Sequence, residues 1–338
     1  MKKVTVYDLA KACGYSVSTV SKAVSGNKTI SEETRKYIEE KAIEIGYHRN
    51  VEGDLAFEEP KRIAVIYPER PLQLVEVLEE GILQAKEKYG ICNIELVPLK
   101  YSYESKFDSK SFAEKYDGVV YYSVSADKML IENIEELAEK IPVSTVAAIS
   151  EYFENVFNVM TDAYELGECA ADLAYLIAGK NKEVGVISGL STHEMHNENI
   201  RGFFESAHRC GFIVKEIYYT DDSYKMIYES TEIMIKRNPN IKVLFVSTSL
   251  ALAAYDALSK NGRNDVEIIA VDATKDNIRA LAEGKIAVII SQNQQKQMRT
   301  AIEYVARHIL KLRGASKELR ENVIRPKVIL RNNVKYYI

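Results

Sequence analysis

The chain contains 338 residues, of which 46% are apolar. This length predicts two or three domains, and no apolar run approaches the ~20 residues that cross a membrane, so a membrane partner is not expected. Residues 1–30 carry a net charge of +4 and the other 308 residues −8, which gives the overall −4. A basic segment on an acidic chain is expected where only that segment meets nucleic-acid phosphates. Because the N-terminus lacks the apolar core of a signal peptide, we expect a cytoplasmic protein.

The stretch over residues 5–26, TVYDLAKACGYSVSTVSKAVSG, predicts two short helices joined by a tight turn. Thr5 and Asp8 have the spacing of a capping box at the start of the first helix. Ser16 is placed to cap a second helix over residues 17–24. The outer face of that second helix carries small hydroxyl side chains and one lysine, which suits a helix lying in a DNA major groove.

The spacing of Ala10, Gly14 and Val20 is the one that helix-turn-helix proteins use for helix contact, turn and inter-helix packing. The words VTVYDLAKACGYSVSTVSKAVSG and ISEETRKYIEEKAIEIGY closely resemble the N-terminal headpiece of the LacI/GalR (lactose-repressor) family of transcription factors. The resemblance covers residues 4–47 nearly without gaps. It implies a transcriptional regulator, most simply a repressor, that binds operator DNA.

The resemblance also assigns roles to individual headpiece residues. A third helix is predicted from Ser31 to Ile45, which completes a headpiece over residues 1–47. The residues whose family equivalents face base edges are Val17, Ser18 and Lys22. The residues expected at the DNA backbone are Thr5, Tyr7, Ser16, Thr19, Ser21, Asn27, Thr29, Ser31 and Thr34.

Residues 48–60 are predicted to be a hinge or linker. In the family this stretch folds on operator DNA as a short helix and wedges a leucine into the minor groove, and the matching residues here are Asn50 and Leu55. Gly53 and four carboxylates depart from the family sequence. The glycine disfavours a helix, and the carboxylates disfavour approach to the negative minor groove. A hinge that folds on DNA and a flexible acidic linker both stay open.

From residue 61 strands alternate with amphipathic helices, which predicts parallel sheets covered by helices on both faces. The number of units favours two doubly wound lobes over one very wide sheet. The predicted strands are 62–67, 94–99, 118–122, 156–160, 183–188, 243–247, 267–271 and 287–291. The predicted helices include 74–89, 163–178, 197–210, 250–261 and 293–311.

Ligands of such sheets collect at the carboxyl ends of the strands, and polar residues follow several strands of this region. The segments TDAYELG, NIRGFFESAHRCGF, SLALAAYDAL and AVDAT…GKIAVIISQNQQ resemble the periplasmic sugar-binding fold that forms the effector domain of the same family. The resemblance implies a small-molecule effector, most simply a sugar, bound between two lobes. The candidate effector-binding residues are Asp162, Asn197, Arg201, Ser247, Asp272 and Gln292.

The predicted fold is therefore an all-α helix-turn-helix headpiece followed by an α/β region of the type I periplasmic-binding-protein kind. The effector and dimerisation domain is expected over residues 61–338. Its first lobe would comprise about 61–160 and 292–322, and its second about 161–291 and 323–338. A homodimer is expected, which predicts a pseudo-palindromic operator.

The sequence departs from the family at two points of the expected cleft. Ser247 and Thr248 stand where an Asn-Asp pair is usual, and Glu69 and Arg70 lie in the turn that usually carries a stacking aromatic residue. A charged ligand or a contact between subunits would account for that turn.

An enzyme is the third possibility, after a sugar-binding module with weakened DNA recognition. No GxGxxG follows the first strand, no Walker loop occurs, and GVISG is not GxSxG. The HEMH sequence of His193 and His196 is not a zinc motif and predicts a loop at the cleft mouth. We expect no catalytic residues, no cofactor and no metal.

Overall fold

The computed structural model describes residues 4–24, 29–45, 47, 61–68, 72–88, 92–99, 108–122, 128–147, 155–179, 183–310 and 321–337. The chain divides into two compact units, residues 1–60 and 61–338. The predictions for Asn27, Asn50 and Leu55, and for the hinge and the turn at 69–71, lie outside the described residues. In the described part of the chain, no helix is both long and apolar enough to span a bilayer.

The smaller unit contains three helices within its described residues: α1 Val6–Cys13, α2 Val17–Val24 and α3 Glu32–Glu44. The capping box predicted at α1 is confirmed, since Asp8 Oδ2 accepts from the backbone N–H of Thr5 at 2.8 Å. Gly14 ends α1 in the left-handed region, at a φ of 71°, where a side chain would be strained. The helices enclose a small apolar core of Leu9, Ala10, Cys13, Val20, Ala23 and Ile38.

The larger unit begins with the first lobe. Its strands are β1 Lys61–Pro68, β2 Cys92–Leu99, β3 Gly118–Tyr122, β4 Val143–Val146, β5 Phe157–Met160 and β11 Glu321–Val323. Its helices are α4 Leu72–Lys88, α5 Ser109–Lys115, α6 Lys128–Ala138 and α12 Gln294–Ile309. The strand order among the described residues is β11-β5-β4-β3-β1-β2, and all pairs are parallel.

The second lobe has the same architecture. Its strands are β6 Glu183–Ser188, β7 Ile213–Tyr219, β8 Ile241–Val246, β9 Glu267–Val271, β10 Val288–Ser291 and β12 Lys327–Ile329. Its helices are α7 Ala163–Ala178, α8 Glu194–Cys210, α9 Tyr224–Arg237, α10 Ala251–Lys260, α11 Lys275–Ala282 and the 3₁₀ turn Val334–Tyr336. The strand order is β12-β10-β9-β8-β6-β7, with β12 antiparallel to β10.

Each sheet is buried on both faces, which confirms the doubly wound architecture. Successive side chains of a strand point to opposite faces. Ile63 of β1 therefore packs in a cluster with Met298 of α12, whereas the next residue, Ala64, packs with Leu137 of α6. The second lobe likewise has a separate apolar cluster on each face of its sheet.

The chain passes between the lobes after β5, after β10 and after β11. Two of these crossovers are tied together, because Thr161 Oγ1 donates to the carbonyl of Gln292 at 2.8 Å. Gln297 Nε2 donates to Thr161 Oγ1 at 2.9 Å and to the carbonyl of Gln292 at 2.8 Å. The sheet change near the C-terminus falls after Val323, the last residue of β11, rather than after 322.

Some elements differ from the sequence prediction. Strands β4 and β7 were not predicted, because β4 has four residues of which Ser144 and Thr145 are polar, and β7 is an edge strand with largely half-buried side chains. Helix α8 begins at Glu194, not at 197, so that HEMH starts a helix rather than lying in a loop.

Helices α7 and α8 cross with their backbones in contact. A Cβ on Gly167 would lie 2.0 Å from the carbonyl oxygen of Asn199, and one on Gly202 would lie 2.2 Å from that of Tyr164. Real side chains do not tolerate such distances, so both positions require glycine. The crossing fixes how α8 turns its faces toward the sheet and toward solvent.

We expect Gly167→Ala to lower the free energy of unfolding by about 1–3 kcal/mol, because the added methyl group forces the two helices apart. Urea unfolding of the full chain measures this change. Leu176→Ala on the same helix is the control, since Leu176 is 76% exposed and its loss should change stability little. An unchanged midpoint for Gly167→Ala would contradict the close crossing.

Candidate functional site

The outer face of α2 carries the residues predicted to read bases. Ser18, Ser21 and Lys22 are exposed, whereas Val20 is completely buried. Val17 is half-buried against the headpiece core, so part of its side chain packs inward. The exposed face therefore offers two small hydroxyls and one ammonium group, which permit close approach to a groove.

Several residues predicted to contact phosphates also cap helices. Ser16 Oγ accepts from the backbone N–H of Thr19 at 3.1 Å, and the two hydroxyls lie 2.8 Å apart. Ser31 and Thr34 repeat this arrangement at the start of α3, at 3.2 and 2.8 Å. These hydroxyls thus order the helix N-termini, which are themselves favourable positions for phosphate.

The remaining predicted backbone contacts in the described part of the headpiece are exposed. Tyr7 is 70% exposed, and Thr29 lies at the surface just before α3. Thr5 is exposed although its hydroxyl is engaged with Asp8. All three are accessible to a ligand as large as DNA.

Asp272 is the central polar residue of the larger unit, directly after β9. Its backbone has a φ of 70°, a left-handed conformation that few residues other than glycine adopt. Asn277 Nδ2 holds this turn by donating to the Asp272 carbonyl at 3.0 Å. The carboxylate Oδ1 accepts from Gln292 Nε2 at 3.0 Å and from the side-chain amide of Gln294. The residues that follow β9 and β10 thus form one hydrogen-bonded polar cluster.

The carboxyl of Asp272 is held in an unfavourable environment for charge. Only 8% of the residue is exposed, and burial raises its pKa to about 6, although the amides of Gln294 and Gln292 lower it. A buried carboxyl with a raised pKa is more typical of a functional site than of a surface turn.

Asn199 lies beside the candidate residue Ser247, and the sequence analysis did not single it out. The residue is only 6% exposed, and its Nδ2 donates to Ser247 Oγ at 3.2 Å, at the end of β8. Its Oδ1 has no hydrogen-bond partner among the described residues. The signal was available in the helical spacing, since Asn199 shares a face of α8 with the buried Phe203 and Ser206.

Arg201 does not join this arrangement, which corrects the sequence prediction. Its guanidinium pairs with Glu198 at 2.6 Å and Glu205 at 3.4 Å, and lies 4.4 Å from the centre of the Tyr164 ring. Its side chain is 54% exposed. The i−3 and i+4 spacing of its partners places it on the outer face of α8.

Asp162 and Asn197 lie at the edge of the site with local partners of their own. Asp162 is the N-cap of α7 and accepts from the backbone N–H of Glu165 at 2.9 Å. Asn197 Nδ2 donates to the carbonyl of Ser191 at 2.9 Å. Both are exposed, and both have a structural role that is independent of any ligand.

A cavity of about 660 Å³ opens beside this edge, between α4 and α11. Its lining includes Gln294, which donates to Asp272, together with Lys275 and Arg279 of α11. Lys275 is paired with Glu76 of α4 at 3.0 Å, so this pair joins the two lobes. In the described residues, no group of three or more His, Cys, Asp or Glu is arranged to hold a metal ion.

The larger unit is thus a two-lobed ligand-binding fold, and the smaller one a DNA-binding headpiece. A model of the bacterial regulatory proteins of the lacI family matches residues 5–50, and a model of the periplasmic binding protein domain matches residues 106–313, more than half of the chain. The chain belongs to the periplasmic-binding-protein domain family and is, through its N-terminal domain, a transcriptional regulator of the LacI family.

Similar proteins agree with this assignment. The catabolite control protein A of Priestia megaterium is 28% identical over 283 residues, which cover 80% of this chain and 83% of that protein. The transcriptional repressor PurR of Actinobacillus pleuropneumoniae is 24% identical, over 79% of this chain and 81% of that protein. A solute-binding protein of Burkholderia graminis, solved with D-arabinose, shares the fold with a TM-score of 0.73 at 19% identity, over 81% of this chain and 96% of that one. These relatives and the binding fold disfavour the enzyme alternative.

We expect Asp272→Asn to raise the free energy of unfolding at pH 7.5 by about 3 kcal/mol, because a pKa near 6 instead of 3.8 penalises the buried charge. The raised pKa of Asp272 contributes a loss of stability as pH increases from about 4 to 6, and this contribution should be missing from the variant, so that its stability falls less over this range. Asparagine also tolerates the left-handed backbone.

Urea unfolding of parent and variant between pH 4.5 and 7.5 measures the difference. Asp265→Asn is the matched control, since Arg263 and Lys242 hold the pKa of Asp265 below its ordinary value and its neutralisation should not stabilise the protein. A variant at Asp272 that is no more stable than the parent at pH 7.5 would refute the penalty.

Proposed function

We propose that this regulator is a homodimeric repressor that binds a pseudo-palindromic operator and responds to a sugar or sugar derivative. The effector is held at the carboxyl edge of the second lobe by Asp272, Gln292 and Ser247, with Asn199 beside them. Asp162 and Asn197 form the rim. The buried Asp272 carboxylate, fixed in a left-handed turn beside a crossover between the lobes, is the observation that carries this proposal.

Operator recognition is assigned to α2. Its exposed hydroxyls and Lys22 reach base edges, while the capped N-termini of α2 and α3 contact phosphates. A two-fold dimer places two such helices in successive major grooves about one helical turn apart. The basic charge of the first 30 residues supports this assignment.

The chemistry of the cleft supports a hydroxyl-bearing effector. A carboxylate accepts two vicinal hydroxyl protons, and side-chain amides both donate and accept. Ser247 and Asn199 add a hydroxyl and a free amide oxygen within the same edge. The solute-binding protein solved with D-arabinose has this fold, which favours a sugar over other small molecules.

We expect Lys22→Ala to weaken binding to a selected operator by about 1–3 kcal/mol and to change binding to random DNA little. DNA enriched from a random pool by the full-length protein supplies the operator, and titrations at two salt concentrations measure affinity. Lys36→Ala, an exposed lysine of α3, is the control. Equal losses on both kinds of DNA would make Lys22 a phosphate contact, and no operator at all would favour the sugar-binding module.

We expect Asp272→Ala to abolish ligand-induced thermal stabilisation by any sugar that stabilises the parent, while operator binding without effector persists. The reason is that the principal hydroxyl acceptor is removed and the headpiece is a separate compact unit. Thermal-shift measurements and operator titrations with the same preparation test both parts. A retained thermal shift would exclude Asp272 from the effector site.

A further inference from the structure

A polar cluster around Asp272 extends the site beyond the residues indicated by the sequence. The added residues are His193, His196, Asn199 and Asp222. A Cβ on Gly189, the residue after β6, would lie 2.4 Å from His196 Nε2 and 2.6 Å from Asp222 Oδ1. The His196 imidazole and the Asp222 carboxyl therefore both pack against the backbone of Gly189, which has no side chain. The ring centres of His193 and His196 are 5.1 Å apart, and His196 Nε2 lies 3.9 Å from Asp222 Oδ2.

Two carboxyl groups of this cluster influence each other. Asp272 follows β9 and Asp222 follows β7, and the carboxyl ends of these parallel strands lie along the same edge of the second sheet. The charge of Asp222 also raises the pKa of Asp272. Burial raises the pKa of each to about 6. Among the described residues, the interactions that set these two pKa values include no lysine or arginine. Asp222 also has a φ of 57°, so both carboxyls are carried by left-handed turns.

The imidazoles do not supply the missing positive charge. Burial lowers the pKa of His193 and of His196 to about 4, which leaves both rings neutral at physiological pH. Arg201 faces outward and is paired on the other side of α8. The cluster therefore presents net negative charge to whatever enters it.

Buried hydrogen-bond acceptors without partners also favour a ligand that donates hydrogen bonds. Asn199 is 6% exposed and Gln294 2% exposed, and in the described part of the chain neither Asn199 Oδ1 nor Gln294 Oε1 has a hydrogen-bond partner. Their amide nitrogens donate to Ser247 and Asp272, which orients the free oxygens beside those residues. Unsatisfied buried acceptors are unfavourable and are expected to meet donors of a ligand.

We propose that the effector is a hydroxyl-rich molecule that carries a protonated amine, an amino sugar in chemical class, with its ammonium group between Asp222 and Asp272. An ammonium group offers three donors and a positive charge, and so matches two carboxylates and unpartnered amide oxygens. A phosphate or carboxylate at the same place would be repelled. This inference rests on the proposed function, whose effector it specifies.

The test compares matched ligands that differ in one substituent: glucosamine, galactosamine and mannosamine, their parent hexoses, and the corresponding hexose 6-phosphates. Calorimetric titration of the full-length protein at pH 7.5 should show at least one amino sugar binding about ten-fold or more tighter than its parent. Asp222→Asn should lower amino-sugar affinity about ten-fold and parent-hexose affinity much less, so that the preference for the amine is lost. Asparagine tolerates the left-handed turn at this position, so the variant should fold.

Asp221→Asn is the matched control, because its exposed carboxyl accepts from the backbone of Ser223 and lies outside the cluster. It should change amino-sugar affinity by no more than about two- to three-fold, as expected for a screened surface charge.

The pH dependence gives a second readout. The titratable groups around the ammonium position are the two imidazoles, Asp222, Asp272 and, from the first lobe, Tyr122, whose pKa is raised by burial and by Asp272. The exposed Asp221, outside the cluster, also raises the pKa of Asp222. Between pH 6.5 and 5.0 the amine of the ligand stays protonated, whereas the two carboxyls with a pKa near 6 take up protons, so amino-sugar affinity should fall. An amino-sugar affinity that rises over this range would contradict the proposal.

The outcomes separate this inference from the proposed function. If no amino sugar binds tighter than its parent hexose, the inference is wrong, whatever the other ligands do. If a hexose or hexose phosphate nevertheless binds and alters operator affinity, the proposed function stands. Loss of hexose-phosphate binding in Lys275→Ala would then place the ligand in the neighbouring cavity. Only if none of the three classes binds does the sugar-responsive function fail as well.

Discussion

The backbone contact between α7 and α8 determines the chemistry of the ligand edge. Because Gly167 and Gly202 let the backbones of the two helices touch, both glycines must face the crossing, which sets the rotation of α8 against the second lobe. That setting turns Asn199 toward the strand ends and Arg201 toward solvent. A methyl group at either glycine would move the first turn of α8, which carries the imidazole of His196. The charge character of the site therefore follows from a packing constraint between two helices.

The other side of the site depends on one strained turn. Asp272 adopts a left-handed conformation, and Asn277 stabilises it through hydrogen bonds to the carbonyls of Ser249, Val271 and Asp272. This buried amide stabilises the strained backbone, whereas the desolvation of the carboxyl remains a cost in stability. A local loss of stability of this kind is expected where a side chain must contact a ligand rather than water. The stability and the function of this turn consequently oppose each other.

The sequence predicted what is encoded locally and missed what depends on contacts between elements. The capping box at Thr5 and the helix over residues 17–24 follow from neighbouring residues, and apolar runs reveal the central strands. The edge strand β7 depends on a partner strand distant in the chain, and which face of α8 packs on the sheet depends on α7 and the strands beside it. The family resemblance assigned Arg201 to the site, yet helical spacing from Phe203 was the better guide to the face that meets the sheet.

Gln292 connects ligand occupancy to the arrangement of the lobes. Its side chain donates to Asp272, while its carbonyl accepts from Thr161 and Gln297 at the crossovers. A ligand that engages the Asp272 carboxylate competes with the Gln292 amide and so perturbs the residue that ties two connections together. One hydrogen bond contributes about 0.5–1.5 kcal/mol, and allosteric couplings are typically about 1–3 kcal/mol. Rearrangement of two or three bonds around Gln292 is therefore sufficient to couple the ligand to the lobes, and the coupling must act equally in the reverse direction.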